Sequence, residues 1–185
     1  MKTMSATLAL TFALLAGSWA VSAESVPLTV LDLKQMTCGW SAPKINHGIN
    51  GDALSIGGKS FTNGVGTHAN SKLRVDLGGN AKRFTAFVGM NDSASAQGSV
   101  EFIVMGDNRE LWRSGLMKPG QPAKQVNVNL AGVKTLTLRA TDAGDGESND
   151  HADWADAQIV MADGAARPVA LPAFETFAVQ TKSFA

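Results

Sequence analysis

The sequence predicts an all-β protein, an antiparallel β-sandwich of the jelly-roll type that follows an N-terminal leader. Three observations carry this. Apolar and polar residues alternate at period two in run after run, the spacing that turns one face of a strand inward. Turn-forming clusters ("LGGN", "GDN", "KPGQP", "AGVK", "DAGDG") separate those runs, and 19 glycines in 185 residues suit a chain that turns often. Beyond the leader, no stretch shows a 3.6-residue apolar period with capping residues at its ends, so helix is confined to short turns.

The leader comes first. Lys2 supplies a positive n-region, "ATLALTFALLA" an apolar h-region, and "VSA" a small-residue cleavage site ending at Ala23. This is the pattern of a secretory signal peptide, too short and wrongly flanked for a membrane span. The expected product is secreted or periplasmic, with residues 28–161 as the domain and 162–185 as a C-terminal tail. Within the domain, "KLRVDL" places Leu73, Val75 and Leu77 on one face, and "KRFTAFVGM" sets Phe84, Ala86 and Val88 against Thr85 and Phe87. In "SVEFIVM", Val100, Phe102 and Val104 oppose Ile103 and Met105, so both faces read as covered. "QVNVNL" (Val126, Val128, Leu130) and "TLTLRA" (Leu136, Leu138) alternate cleanly, and "AQIVM" supplies a last strand. Phe84, Val88, Val100, Phe102, Val104, Leu136 and Leu138 are the expected core. The tail has two prolines and little alternation; it reads as extended and peripheral, with Phe174 and Phe177 as the residues that would dock it.

Composition narrows the function. Lys and Arg number 16, as do Asp and Glu, and only Lys2 of these lies in the leader. A near-neutral chain gives no electrostatic case for nucleic acid or for anionic membrane surfaces. Cys38 is the single cysteine, so no intramolecular disulfide can form, and such a residue is expected to be buried as a small apolar group.

Two polar segments concentrate the chemistry. "GVGTHANS" (64–71) and "TDAGDGESNDHADWADA" (141–157) each carry a histidine and read as loops entering strands, where a rigid sandwich presents binding residues. Asp150 and Asp153 have the types of a glycosidase acid/base pair, but such closeness arises in any local cluster. No "G-x-S-x-G" elbow supports a serine nucleophile. His68, His151 and one Asp would make a two-histidine, one-carboxylate metal set, though their spacing is not diagnostic. "DAGDGESND" offers Asp142, Asp145, Asn149 and Asp150, hard oxygen donors of the kind calcium takes, and equally the side chains of Asx turns. Trp154, beside His151 and Asp153, is suited to a sugar, whose C–H face packs on an aromatic ring while its hydroxyls need donors and acceptors. A core tryptophan beneath a sheet satisfies the same letters.

The runs "ALSIGGKSFTNGVGTHANSKLRVDLGG", "GSVEFIVMGDNRELWRSGLM" and "LTLRATDAGDGESNDHADWADAQIV", with "LDL" and "GW" (Gly39, Trp40) ahead of them, resemble the NPCBM family over about Leu28 to Met161. That family comprises carbohydrate-binding modules attached to bacterial glycoside hydrolases. The resemblance implies a galactose-binding-like β-sandwich without catalysis, a structural calcium ion in some members, and galactose-type glycans as ligands of a few. Its motifs carry His68, Asn70, Asp150, His151, Asp153 and Trp154; with the reading of the residues above, His68, Asn70, His151, Asp153 and Trp154 are the expected sugar site, Trp154 its platform, and Asp142, Asp145 and Asp150 the expected calcium ligands. One departure stands in "GMNDS", where Asn91 precedes Asp92 and the family carries two acidic residues. Residues 24–185 hold the module and its tail with no catalytic domain, so the expected partners are a glycan and a separate exported glycoside hydrolase. The alternative is an envelope interaction domain that binds no sugar.

Overall fold

A computed structural model describes residues 23–173; residues 1–22 of the leader, and Phe174 and Phe177 of the tail, lie outside the described residues. Thirteen strands follow in order. The first five are β1 (Ser25–Pro27), β2 (Lys44–Ile45), β3 (Leu54–Ile56), β4 (Lys59–Phe61) and β5 (Gly64–His68). Then come β6 (Ser71–Asp76), β7 (Ala81–Met90), β8 (Val100–Gly106) and β9 (Arg109–Met117). The last are β10 (Lys124–Asn129), β11 (Thr135–Thr141), β12 (His151–Met161) and β13 (Val169–Leu171). Among the described residues helix is limited to two single turns of 3₁₀ form, Leu28–Val30 and Leu33–Gln35.

The strands make two antiparallel sheets. One runs β10-β7-β12-β5-β2, and the other β13-β6-β11-β8-β9. Strand β12 spans the first sheet and shares one edge between two partners: β5 pairs with its first half, β1 with Gln158–Val160. A bulge between Ala155 and Gln158 separates the halves, with Asp156 at positive φ. The inner faces interdigitate. Leu73, Val75, Phe102, Val104, Leu136 and Leu138 from one sheet meet Phe84, Val88, Val126, Trp154 and Ile159 from the other, all buried in one cluster. All seven residues expected in the core are there. Period-two alternation has its usual cause here, since an antiparallel sheet with one face on the core must hide every second residue.

Two features reshape the sequence expectation. Residues 64–68 and 151–156 are strands, not loops, and the ordered domain extends beyond 28–161 at both ends. The tail contributes β13, which pairs with Asp76, Val75 and Arg74 of β6, while β1 closes the other end on β12. The hairpin β3–β4 lies over the outer face of the first sheet, where Leu54, Ile56, Phe61 and Ala155 form a second, smaller apolar cluster against Phe87. That cover buries polar residues of β12 that would otherwise face water.

Candidate functional site

The two histidine-bearing segments meet by strand pairing. In the β12–β5 register His151 lies opposite His68, Asp153 opposite Gly66, and Trp154 opposite Val65. Side chains on a strand alternate between faces, so His151 and Asp153 share the outer face and Trp154 takes the inner one. The imidazoles of His68 and His151 come within 5.6 Å of each other, centroid to centroid.

Trp40 completes the group. Its ring lies nearly parallel to His151 (6.4 Å, 12°) and presents an edge relationship to His68 (5.9 Å, 64°). It is 53 % exposed, whereas both histidines are largely buried at 6 % and 8 %. Gly39 makes this approach possible: a Cβ there would meet the Ala69 carbonyl oxygen at 2.0 Å, and the Gly39 N–H donates to the His68 carbonyl at 3.3 Å. Any other residue would push Trp40 away from the two rings. With Glu147, Ser148 and Asn149, these residues line an open recess of about 440 Å³.

The polar atoms of the recess are set by local bonds. His68 Nδ1 lies 2.7 Å from the Ala69 carbonyl oxygen; that contact needs a donor at Nδ1, which in the neutral ring leaves Nε2 as an acceptor. The pKa of His151 is lowered, first by desolvation and then by the neighbouring His68, so it is neutral at pH 7. Asn70 donates from Nδ2 to Glu147 Oε1 at 2.9 Å and accepts the Asp142 N–H at 3.3 Å, fixing the rim.

Trp154 requires a correction. It is 1 % exposed, edge-on to Phe102 (5.1 Å, 87°) and tilted against Phe84, so its ring offers no face to a ligand in solvent. The strand continues through His151–Asp156, and its phase sends residue 154 inward. Trp40 is the residue sequence reasoning missed. A lone tryptophan in a loop has no period to betray it; the one available signal was the "GW" pair, with glycine permitting close backbone approach.

Asp153 also lies out of solvent, at 0 % exposure. Its Oδ2 accepts from Asn91 Nδ2 at 2.6 Å, Asn91 donates as well to the Ala53 carbonyl at 3.1 Å, and Oδ1 has no hydrogen-bond partner. Desolvation pushes its pKa up to about 7, against the Asn91 bond that lowers it, with Asp92 adding to the rise. The departure at Asn91 thus has a physical reading: an amide can donate to Asp153, where an acid would place two carboxyl groups in contact.

The three carboxylates expected for calcium each take local hydrogen bonds. Asp142 accepts the Gly144 N–H, an Asx turn. Asp145 takes the Ser99 hydroxyl at 2.7 and 2.8 Å and lies 3.6 Å from Lys118 Nζ. Asp150 accepts the Ser99 N–H at 2.8 Å; desolvation raises its pKa, and Oδ2 alone lacks a partner. Among the described residues no three His, Cys, Asp or Glu side chains gather as a metal-holding group. Cys38 is half-buried, its Sγ among Thr67 Oγ1, the His68 N–H and the Trp40 carbonyl rather than in the apolar core.

A β-sandwich with an exposed aromatic ring beside two imidazoles at an open recess has the form of a sugar-binding module. The chain belongs to the NPCBM/NEW2 domain family, whose model matches residues 24–160. It is 38 % identical over 138 residues to alpha-1,3-galactosidase B of Akkermansia muciniphila, covering 72 % of this chain and 17 % of that protein. The chain thus spans about a sixth of that relative's length. Among solved structures it resembles the CBM51 of a Clostridium perfringens GH95 protein in complex with methyl-galactose (TM-score 0.68, 32 % identity, 74 % of this chain and 99 % of that one). It also resembles CBM51-2 of Clostridium perfringens ZmpB, solved with GlcNAc and the INT domains (TM-score 0.69, 25 % identity, 75 % of this chain and 32 % of that one). Among the described residues no helix is long and apolar enough to cross a membrane.

Proposed function

We propose that the protein is an exported, non-catalytic module that binds galactose-type glycans at the recess formed by Trp40, His68, His151 and Glu147. The observation that carries this is the exposed Trp40 ring beside two imidazoles. Trp40 supplies the apolar platform, His68 Nε2 and the Glu147 carboxylate accept from hydroxyls, and His151, whose Nδ1 lies 3.5 Å from Ser93 Oγ, presents Nε2. Asn70 positions Glu147.

Catalysis finds no support in the acidic residues. Asp153 is sealed beneath the β3–β4 hairpin and Asp150 is engaged by the Ser99 backbone, so neither presents a carboxyl group to a substrate. The likeness to a module solved with methyl-galactose supports the ligand class. The likeness to part of a galactosidase supports a partnership with an exported glycoside hydrolase acting on the same glycan. A shallow site that desolvates few groups binds weakly, so detection needs multivalent display. Immobilised glycans probed with the purified residues 24–185 test the reading: galactosides should be retained, and Trp40→Ala should abolish retention while the melting temperature holds. Retention unchanged in Trp40→Ala would overturn it.

A further inference from the structure

A second concavity lies on the opposite sheet. It is a groove of about 700 Å³ on the outer face of β6, β11 and β8, lined by Lys72, Arg74 and Arg139 with Thr137, Thr141 and Met105 between them. Lys72 and Arg139 are direct cross-strand partners, and Arg74 faces Thr137 one pair along. Like charges placed opposite each other on a sheet destabilise it, so this pairing works against the fold. The nearby acid of this face, Glu101, is bound to Arg113. Among the described residues neither Lys72 nor Arg139 forms an ion pair, whereas Arg74 has a partner of its own. Their stems lie half-buried along the sheet, among mostly hydroxyl and amide neighbours with Met105 and Ala173.

The groove adjoins the recess. Asn70 lines the groove, Glu147 lines the recess, and the ridge between them is the single hydrogen bond from Asn70 Nδ2 to Glu147 Oε1. A glycan seated at Trp40 therefore continues, beyond one side-chain pair, onto a cationic surface. We propose that the module's ligand is an acidic galactoside, its neutral galactose-type unit at Trp40 and a carboxylate or sulfate ester on the adjoining unit held by Lys72 and Arg139. This rests on the recess being the primary site, and it adds that the second sheet selects for anionic glycans. The acids of the ridge, Glu147 and Asp142, require the anion to lie past them.

Calorimetric titration of residues 24–185 with methyl-galactoside, lactose, sialyl-lactose and sulfated lactose tests this, the last two separating carboxylate from sulfate. At low salt at least one acidic sugar should bind roughly tenfold more tightly than lactose, the scale of one or two charge-assisted hydrogen bonds. That margin should shrink as salt rises. The Lys72→Gln/Arg139→Gln double variant should lose the margin and keep the lactose affinity, with its melting curve confirming the fold. Lactose binding with no acidic preference, or a preference that survives in the double variant, overturns the proposal and leaves the recess standing. Absence of binding to both methyl-galactoside and lactose overturns the recess reading and this extension together.

Discussion

Trp40 and Trp154 are the same residue in opposite situations. Trp154 stands on β12 with its ring packed on Phe84 and Phe102; Trp40 stands in a loop, held beside two imidazoles by a glycine, with half its surface in water. The first is fixed by sheet phase, the second by backbone proximity. Residue type alone assigns neither role. The surroundings also differ in how their polar groups are paired: the core face of β12 leaves the Trp154 indole N–H without a partner, whereas its outer face holds a buried carboxylic acid on one amide.

The contrast can be tested from its largest consequence downward. Trp154→Ala should cost about 3–5 kcal/mol, because a large ring leaves a cavity between the sheets, and the melting temperature should fall by roughly 10 °C or more. A loss of galactoside binding in that variant without any such fall would return Trp154 to the site. Next comes Asp153. Its folded pKa is raised, so its contribution to stability is whole below the unfolded pKa near ~4 and is lost as pH rises through about 7, where a buried charge must form. Wild type should therefore melt lower at pH 8 than an Asp153→Asn variant by an amount of order a few kcal/mol, and the gap should close toward pH 4. Parallel pH profiles for the two proteins would show that Asp153 does not titrate in this range.

Trp40→Ala is expected to shift the melting temperature by no more than about 2 °C, since an exposed ring contributes little to the core, while galactoside affinity drops at least about tenfold. A destabilisation as large as that of Trp154→Ala would erase the distinction between the two tryptophans. The smallest effect concerns the acidic loop. Asp142 and Asp145 are occupied by turn and side-chain hydrogen bonds, so Asp145→Asn should shift melting equally with and without a calcium chelator. A shift that appears in calcium and vanishes with the chelator would show the loop closing on an ion.

Most of the sandwich was legible because β6, β7, β8, β10 and β11 each write their buried face as every second residue. The first half of β12 was not. His151 and Asp153 are polar letters on a face normally left to water, and the segments that cover them, Trp40 over His151 and the hairpin side over Asp153, are distant in sequence; with a glycine-rich turn just before, the segment reads as loop. Strands of two or three residues, such as β2 and β13, are too short to show a period. His68, Asn70 and His151 were recognisable by motif and do line the recess or its rim. Trp40 needed the approach of Gly39 to Ala69, and the cationic groove needed the cross-strand register of Lys72 and Arg139, neither of which a one-dimensional string displays.

Strand β12 also makes this chain unusually intolerant of certain insertions. Every residue from His151 to Ala155 takes its environment from parity: His151 and Asp153 enter a polar layer on the outer face and Ala155 the small apolar cluster under the hairpin, while Ala152 and Trp154 enter the apolar layer between the sheets. One extra residue after Asp150 would drive Asp153 between Phe84 and Phe102 and lift the tryptophan among polar groups, exchanging both faces at once. Two extra residues would restore the parity, and the bulge at Asp156 offers a place to absorb them. Length variation at this point of the strand should therefore be accepted in pairs and rejected singly.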